Sequence, residues 1–174
     1  MHYDEIIAFH GHSCPGLAIG FRLATAAMTA LGVTRSDDEE LVAVVESDAC
    51  GVDALQCVSG CTFGKGNLVF RDYGKHAYSL FSRVKRQGVR VVFHGNGIPA
   101  ELREDRPAFA RRIMVEQEEA IVSVARIPYE ELQTARVRQS VFCAGCGESV
   151  MDTRVRETGD GPLCIPCAER SAQC

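Results

Sequence analysis

No apolar run in the 174 residues approaches the ~18 needed to cross a bilayer. The opening Met-His-Tyr-Asp-Glu lacks the basic and apolar regions of a secretory signal. These two absences predict a cytoplasmic protein. Positive charge is not in excess either: the formal net charge is −4, which speaks against a broad electrostatic grip on nucleic acid. The one basic stretch, Arg126 to Arg138, is interrupted by Glu130 and Glu131 and reads as a solvated face. Neither Gly-x-Ser-x-Gly nor His-Glu-x-x-His occurs, so serine-hydrolase and metalloprotease readings have no footing. Internal repeats and low-complexity tracts are missing as well.

What the chain does hold is apolar material for a real core, at 46% hydrophobic and 24% charged residues. It also holds nine cysteines. In a reducing compartment these read as ligands or redox groups and not as a disulfide framework, with Cys174 the natural spare. Apolar residues at helical spacing from Pro15 to Leu31 predict a slim, alanine-rich helix closed by Gly32. Leu41 to Val45 reads as a buried strand, and Cys50 to Cys57 as a short helix that Gly60 stops. Leu68-Val69-Phe70, Ala77 to Ser82 and Val89 to Phe93 read as further strands, the last two joined by a turn at Lys85 to Gly88. Pro107 to Ala120 has a helical pattern. Past Pro128 the composition shifts to glycine, cysteine and short apolar runs. The expected division is a mixed α/β unit over 1–134 and a small unit over 135–174, entered by an extended strand from Ala135 to Phe142.

The strongest single signal lies in that tail. Cys143-Ala-Gly-Cys146 and Cys164-Ile-Pro-Cys167 are two C-x₂-C pairs separated by 17 residues. Two such pairs complete a tetrahedral shell of four thiolates around zinc. Between them, Ser149 to Glu157 and Gly159 to Gly161 read as a hairpin, and Ile165 to Ala172 as a closing helix. That order is a treble-clef or zinc-ribbon arrangement. Four thiolates leave no open position, so the zinc is structural.

A second constellation stands near the N-terminus. His10-Gly-His12-Ser-Cys14 places two imidazoles and a thiol at alternate positions, and an extended segment would point all three to one side. Cys50, Cys57 and Cys61 follow the Leu41–Val45 strand, beyond whose carboxyl end sites gather in α/β folds. The expected site joins His10, His12 and Cys14 with Cys50 or Cys61, holding a second zinc or another transition metal. His12, Cys14 and Cys50 are the candidates for catalytic roles, with Cys14 at a helix N-terminus that favours thiolate. Asp53 and Gln56 are candidates to orient an imidazole. Cys57 reads as a small buried hydrophobe, His76 as structural, and His94 as a weak site candidate beside a Gly-Asn-Gly loop. Gly60 to Gly66 lacks the spacing of a phosphate loop, although Lys65 or Lys75 could face an anion.

The motifs Phe9-His-Gly-His-Ser-Cys-Pro-Gly-Leu17, Cys50-x-x-Asp53-Ala54-x-Gln56, Gly60-Cys-Thr-x-Gly-Lys-Gly-Asn67 and Asp72-Tyr-Gly-Lys75 together resemble the FmdE family. Its members are related to the FmdE component of molybdenum formylmethanofuran dehydrogenase. The resemblance covers most of residues 1–130. It implies an α+β fold with a thioredoxin-like core, in which helices flank a mixed sheet, and a metal-capable pocket around the His-x-His-x-Cys motif. It further implies a homodimer and a role as accessory subunit or factor for a molybdenum or tungsten one-carbon redox enzyme. The alternatives are a stand-alone enzyme using an open-coordinated metal or a thiolate, and a thiol-redox protein pairing Cys14 with Cys50 or Cys61.

Overall fold

The computed structural model describes residues 2–132, 134 and 138–172. The chain forms two compact units, Met1–Ala135 and Arg136–Cys174. Ala135, the first residues of the expected entry strand, and the spare Cys174 lie outside the described residues. None of the described helices is long and apolar enough to cross a membrane.

The first unit opens with a helix that the sequence pattern did not reveal, α1 (Tyr3–His10). Only Ile6 is fully buried along it, so its apolar periodicity is faint. Gly11 ends α1 at φ 95°, a left-handed conformation that a β-carbon would strain. Helix α2 (Pro15–Leu31) starts four residues later, with Cys14 as an extended N-cap and Pro15 in the first turn. The histidine-cysteine motif is therefore a helix–turn–helix corner. The expected extended segment, with three side chains on one side, is not formed.

Behind α2 lies a five-stranded sheet of β1 (Leu41–Val45), β2 (Leu68–Phe70), β3 (Ala77–Ser82), β4 (Gln87–Phe93) and β5 (Val122–Ile127). Its order is β2-β1-β3-β4-β5, with β1 and β2 parallel and the remaining pairs antiparallel. The fold is thus α+β with a mixed sheet. Helix α3 (Gly51–Ser59) makes the crossover between β1 and β2, which places its N-terminus beyond the carboxyl end of β1. The core joins Leu23, Ala27 and Leu31 of α2 to Ala43, Leu80, Val89 and Val91 of the sheet.

Two expectations change here. The helix read over Pro107 to Ala120 is two pieces, α4 (Arg106–Val115) and α5 (Glu118–Ile121), because Glu116 turns extended. Arg126 belongs to β5, an edge strand whose middle is exposed, and its guanidinium donates to the Ala30 carbonyl at 2.6 Å. Lys85 donates to the Leu31 and Gly32 carbonyls at 2.9 and 2.7 Å. Two cations therefore satisfy the free carbonyls at the end of α2, where the helix dipole favours positive charge.

Glu46 closes β1. It is buried, and it accepts from Arg90 on β4 through both carboxylate oxygens, at 2.7 and 2.8 Å. The Arg90 guanidinium holds the Glu46 carboxyl below the usual range. The Glu46 backbone carbonyl accepts from Tyr73 and Lys75, so one residue fixes the Asp72-Tyr-Gly-Lys75 segment.

In the second unit β6 (Ser140–Phe142) pairs with β7 (Ser149–Met151), and β8 (Val155–Thr158) with β9 (Gly161–Cys164). Helix α6 (Ile165–Ser171) follows. The single hairpin expected between the cysteine pairs is thus divided: Ser149 to Met151 pairs backwards and Val155 to Thr158 pairs forwards.

Candidate metal centre

The close crossing of α2 and α3 brings the first unit's thiols together. A β-carbon on Gly20 would lie 2.2 Å from the Gly51 carbonyl oxygen, so only glycine allows the helix backbones this approach. One turn earlier a β-carbon on Gly16 would sit 3.2 Å from Cβ of Cys50. Cys14 at the head of α2 and Cys50 at the head of α3 are consequently neighbours. Helix α1 delivers His10 to the same point. One ligand atom from each of His10, Cys14 and Cys50 lies within 4.8 Å of the others.

The imidazole is already oriented. His10 Nδ1 is 2.7 Å from Oδ2 of Asp53, and Gln56 donates to Oδ1 of the same carboxylate at 3.4 Å. Gln56 is held in turn by the Phe63 amide, which donates to its Oε1 at 3.3 Å. With Nδ1–H given to Asp53, the lone pair sits on Nε2. That atom is buried and has no hydrogen-bond partner. An unpartnered buried nitrogen beside two thiols is costly unless something fills the gap.

Burial and the neighbouring Cys14 hold the Cys50 thiol above its ordinary value. Cys14 Sγ accepts the Leu17 amide at 3.4 Å, as a capping sulfur does at a helix N-terminus. Two sulfurs and one imidazole nitrogen suit zinc and related late transition metals, and a bound cation would stabilise both thiolates. Three protein ligands leave a fourth position open. The Asp53–His10 contact is the orienting hydrogen bond of such a site. Asp53→Asn is expected to weaken metal binding by roughly 10–100-fold with the fold intact, measured by competition with a chromophoric chelator. Unchanged affinity would remove Asp53 from this role.

The other predicted residues are placed elsewhere. His12 is exposed and stacks on His10 with ring centroids 4.7 Å apart, but it does not join the three-residue group. Cys61 is fully buried in the main apolar core, where burial pushes its thiol up to about 11. It is not brought to His10, Cys14 and Cys50. Cys57 packs at the edge of the smaller core around Ile6 and Leu17. Lys65 donates to the Asp37 and Asp38 carbonyls at 3.2 and 3.1 Å, Lys75 is exposed, and neither lines the cleft that holds His10 and Cys50. His94 accepts the Asn96 amide in its own loop, and His76 is exposed.

Asn67 explains why the glycine-rich loop carries its motif. It is fully buried and ties the Thr62 amide to the Asp38 and Leu41 carbonyls, which makes the segment a structural latch. Ser47 is the residue that sequence reasoning missed. It follows β1 at the site's edge, nine-tenths buried, with an unpartnered hydroxyl. The only sequence signal was its position just past a buried strand. Ser47, His10 and Cys50 line a cleft of about 440 Å³. Cys14 lines a second cleft, of about 320 Å³, with His12 and Arg106.

In the second unit Cys143, Cys146, Cys164 and Cys167 converge to within 4.8 Å. The Cys164 amide donates to Cys143 Sγ at 3.2 Å. This amide and that of Cys146 pull the Cys143 thiol down to about 6, poised to bind metal as thiolate.

Residues 9–139 match the family described as FmdE, molybdenum formylmethanofuran dehydrogenase operon. Residues 138–173 match the prokaryotic dksA/traR C4-type zinc finger. A probable S-adenosyl-L-methionine-binding protein of Archaeoglobus fulgidus is 34% identical over 188 aligned residues, covering 92% of this chain and 50% of its own length. The chain thus spans about half the length of that curated relative. The crystal structure of a tungsten formylmethanofuran dehydrogenase FmdE-like protein from Syntrophus aciditrophicus has the same fold. Its TM-score is 0.74 at 26% identity, covering 98% of this chain and 94% of that one.

Proposed function

Because the chain belongs to the FmdE family, we propose that its first unit is a metal-binding protein holding a zinc-class ion between His10, Cys14 and Cys50. The observation that carries this reading is the buried, unpartnered Nε2 of His10, which Asp53 orients toward the two thiols. A bound ion of this class supplies Lewis acidity at its open position. The chain's own residues hold it and keep the imidazole in one tautomer through Asp53 and Gln56. The C-terminal finger adds a structural zinc.

The family's description supports a further step, in which this centre serves a molybdenum or tungsten one-carbon redox enzyme as an accessory factor. The homodimer and the partner subunits that the resemblance implies belong to the same reading. A second reading is favoured by one observation, the three-ligand set beside a cleft. A site with an open position and room for a small molecule suits a stand-alone metal-dependent enzyme.

Elemental analysis tests the metal reading directly. The full chain should carry about two metal ions, and Cys14→Ser should carry about one, because the finger keeps its own four ligands. Circular dichroism of the variant checks that the fold survives. An unchanged metal content in Cys14→Ser would refute the core site.

A further inference from the structure

The cleft beside Cys50 has room for a small ligand. Ser47 lines it, nine-tenths buried, and its hydroxyl is enclosed with no partner among the described residues. A buried hydroxyl left without a hydrogen bond is costly, and a turn about the Ser47 Cα–Cβ bond toward a polar group in the cleft would relieve that cost. The walls are mainly apolar: Leu68 and Val52 line the interior, and Phe63 and Phe70 stand at the cleft with 84% and 49% of their surface exposed. Phenyl rings left this open gain by covering a flat apolar surface.

Charge narrows the choice. None of the described residues lining the cleft is a lysine or arginine, while Asp48 and Asp53 both line it. With a divalent ion in place, the two thiolates of Cys14 and Cys50 balance its charge, so the carboxylates leave the surroundings negative. A phosphate or carboxylate ligand would be repelled.

We propose that this cleft binds a small, flat, largely apolar molecule of neutral or positive charge, anchored by the Ser47 hydroxyl and covered by Phe63 and Phe70. The assignment rests on the metal reading for the ligand's coordinating atom and for the charge balance at the two thiolates. The volume of about 440 Å³ suits a molecule of one or two rings.

Cobalt-loaded full-length protein provides the test, with imidazole, 4-phenylimidazole and 4-(imidazol-4-yl)benzoate as probes. The finger's cobalt has four protein ligands and does not respond, so changes in the cobalt spectrum report the open site. 4-Phenylimidazole should bind at least ~10-fold more tightly than imidazole, and the benzoate more weakly than 4-phenylimidazole. Phe63→Ala and Phe70→Ala should remove most of the gain from the phenyl ring. Ser47→Ala should weaken 4-phenylimidazole by about 3- to 10-fold. Equal binding of imidazole and 4-phenylimidazole, or a preference for the benzoate, would overturn the proposal. Amide shifts of Ser47, Phe63 and Phe70 follow the same titrations whatever the cobalt content. One cobalt per chain would therefore sink the metal reading, while those shifts would still decide the pocket.

Discussion

Stripping metal from the full chain with a strong chelator should unfold the C-terminal unit and leave the N-terminal unit folded. In a proton–nitrogen correlation spectrum, the dispersed signals of residues 138–172 should collapse to random-coil positions. Those of the five-stranded sheet should remain. The reason is the makeup of the two cores. Among the described residues, the buried hydrophobic cluster of the second unit is Cys143, Cys164 and Cys167, with only Val150 and Leu163 packed against it. A unit this small cannot offset its chain entropy with so little apolar burial, so its folding free energy is the free energy of binding zinc. The first unit instead buries side chains of α2, α3 and four strands in one contiguous cluster, which needs no ion. Restoring one equivalent of zinc should restore the lost signals. Dispersed signals for residues 138–172 in the metal-free protein would contradict this account.

Gly20→Ala should destabilise the first unit by about 3 kcal/mol or more and also loosen the core metal site. The added methyl would meet Gly51 backbone atoms at 2.2 to 2.5 Å. Backbone cannot swing aside as a flexible side chain can, so α2 and α3 must move apart by roughly an ångström to restore ordinary contact. Cys14 heads one of these helices and Cys50 the other, so the same movement separates two of the three ligands. The expected signature is a lowered denaturation midpoint together with weaker metal binding. Two comparisons separate this from a general glycine effect. Gly16→Ala meets Cys50 Cβ at 3.2 Å, which a small adjustment relieves, and should cost less. Gly64→Ala meets nothing within 4 Å and should be near neutral. Equal stability of Gly20→Ala and Gly64→Ala would mean that the helix crossing is not what brings the thiols together.

Much of the first unit was legible because its signals are local. The apolar spacing of α2, the buried run of β1 and the turn-bounded strands β3 and β4 each announce themselves within a few residues. Helix α1 was not legible, since it buries only Ile6 fully and carries little periodicity. Edge strand β5 escaped because four exposed residues in succession, ending at Arg126, resemble a solvated loop. The candidate site was half legible. Histidine and cysteine types marked the region where His10, Cys14 and Cys50 gather, and Asp53 and Gln56 stand beside the imidazole of His10. The motif could not say which histidine turns inward. Gly11 reverses the chain after His10, which sends His12 outward and leaves His10 facing the thiols.

By itself, then, the sequence determined the chemistry available: two C-x₂-C pairs whose spacing suffices for a zinc site, and a cluster of soft ligands near the N-terminus. Local spacing is enough for the finger because its ligands come in pairs on tight turns. Only the tertiary structure decided that Cys50 is the partner of Cys14 and that Cys61 lies in the apolar core. It also placed an unpartnered Ser47 hydroxyl beside them. The pairing of Cys14 with Cys50 depends on how closely α2 and α3 cross at Gly20 and Gly51, and a contact between residues 31 positions apart leaves no trace in local spacing.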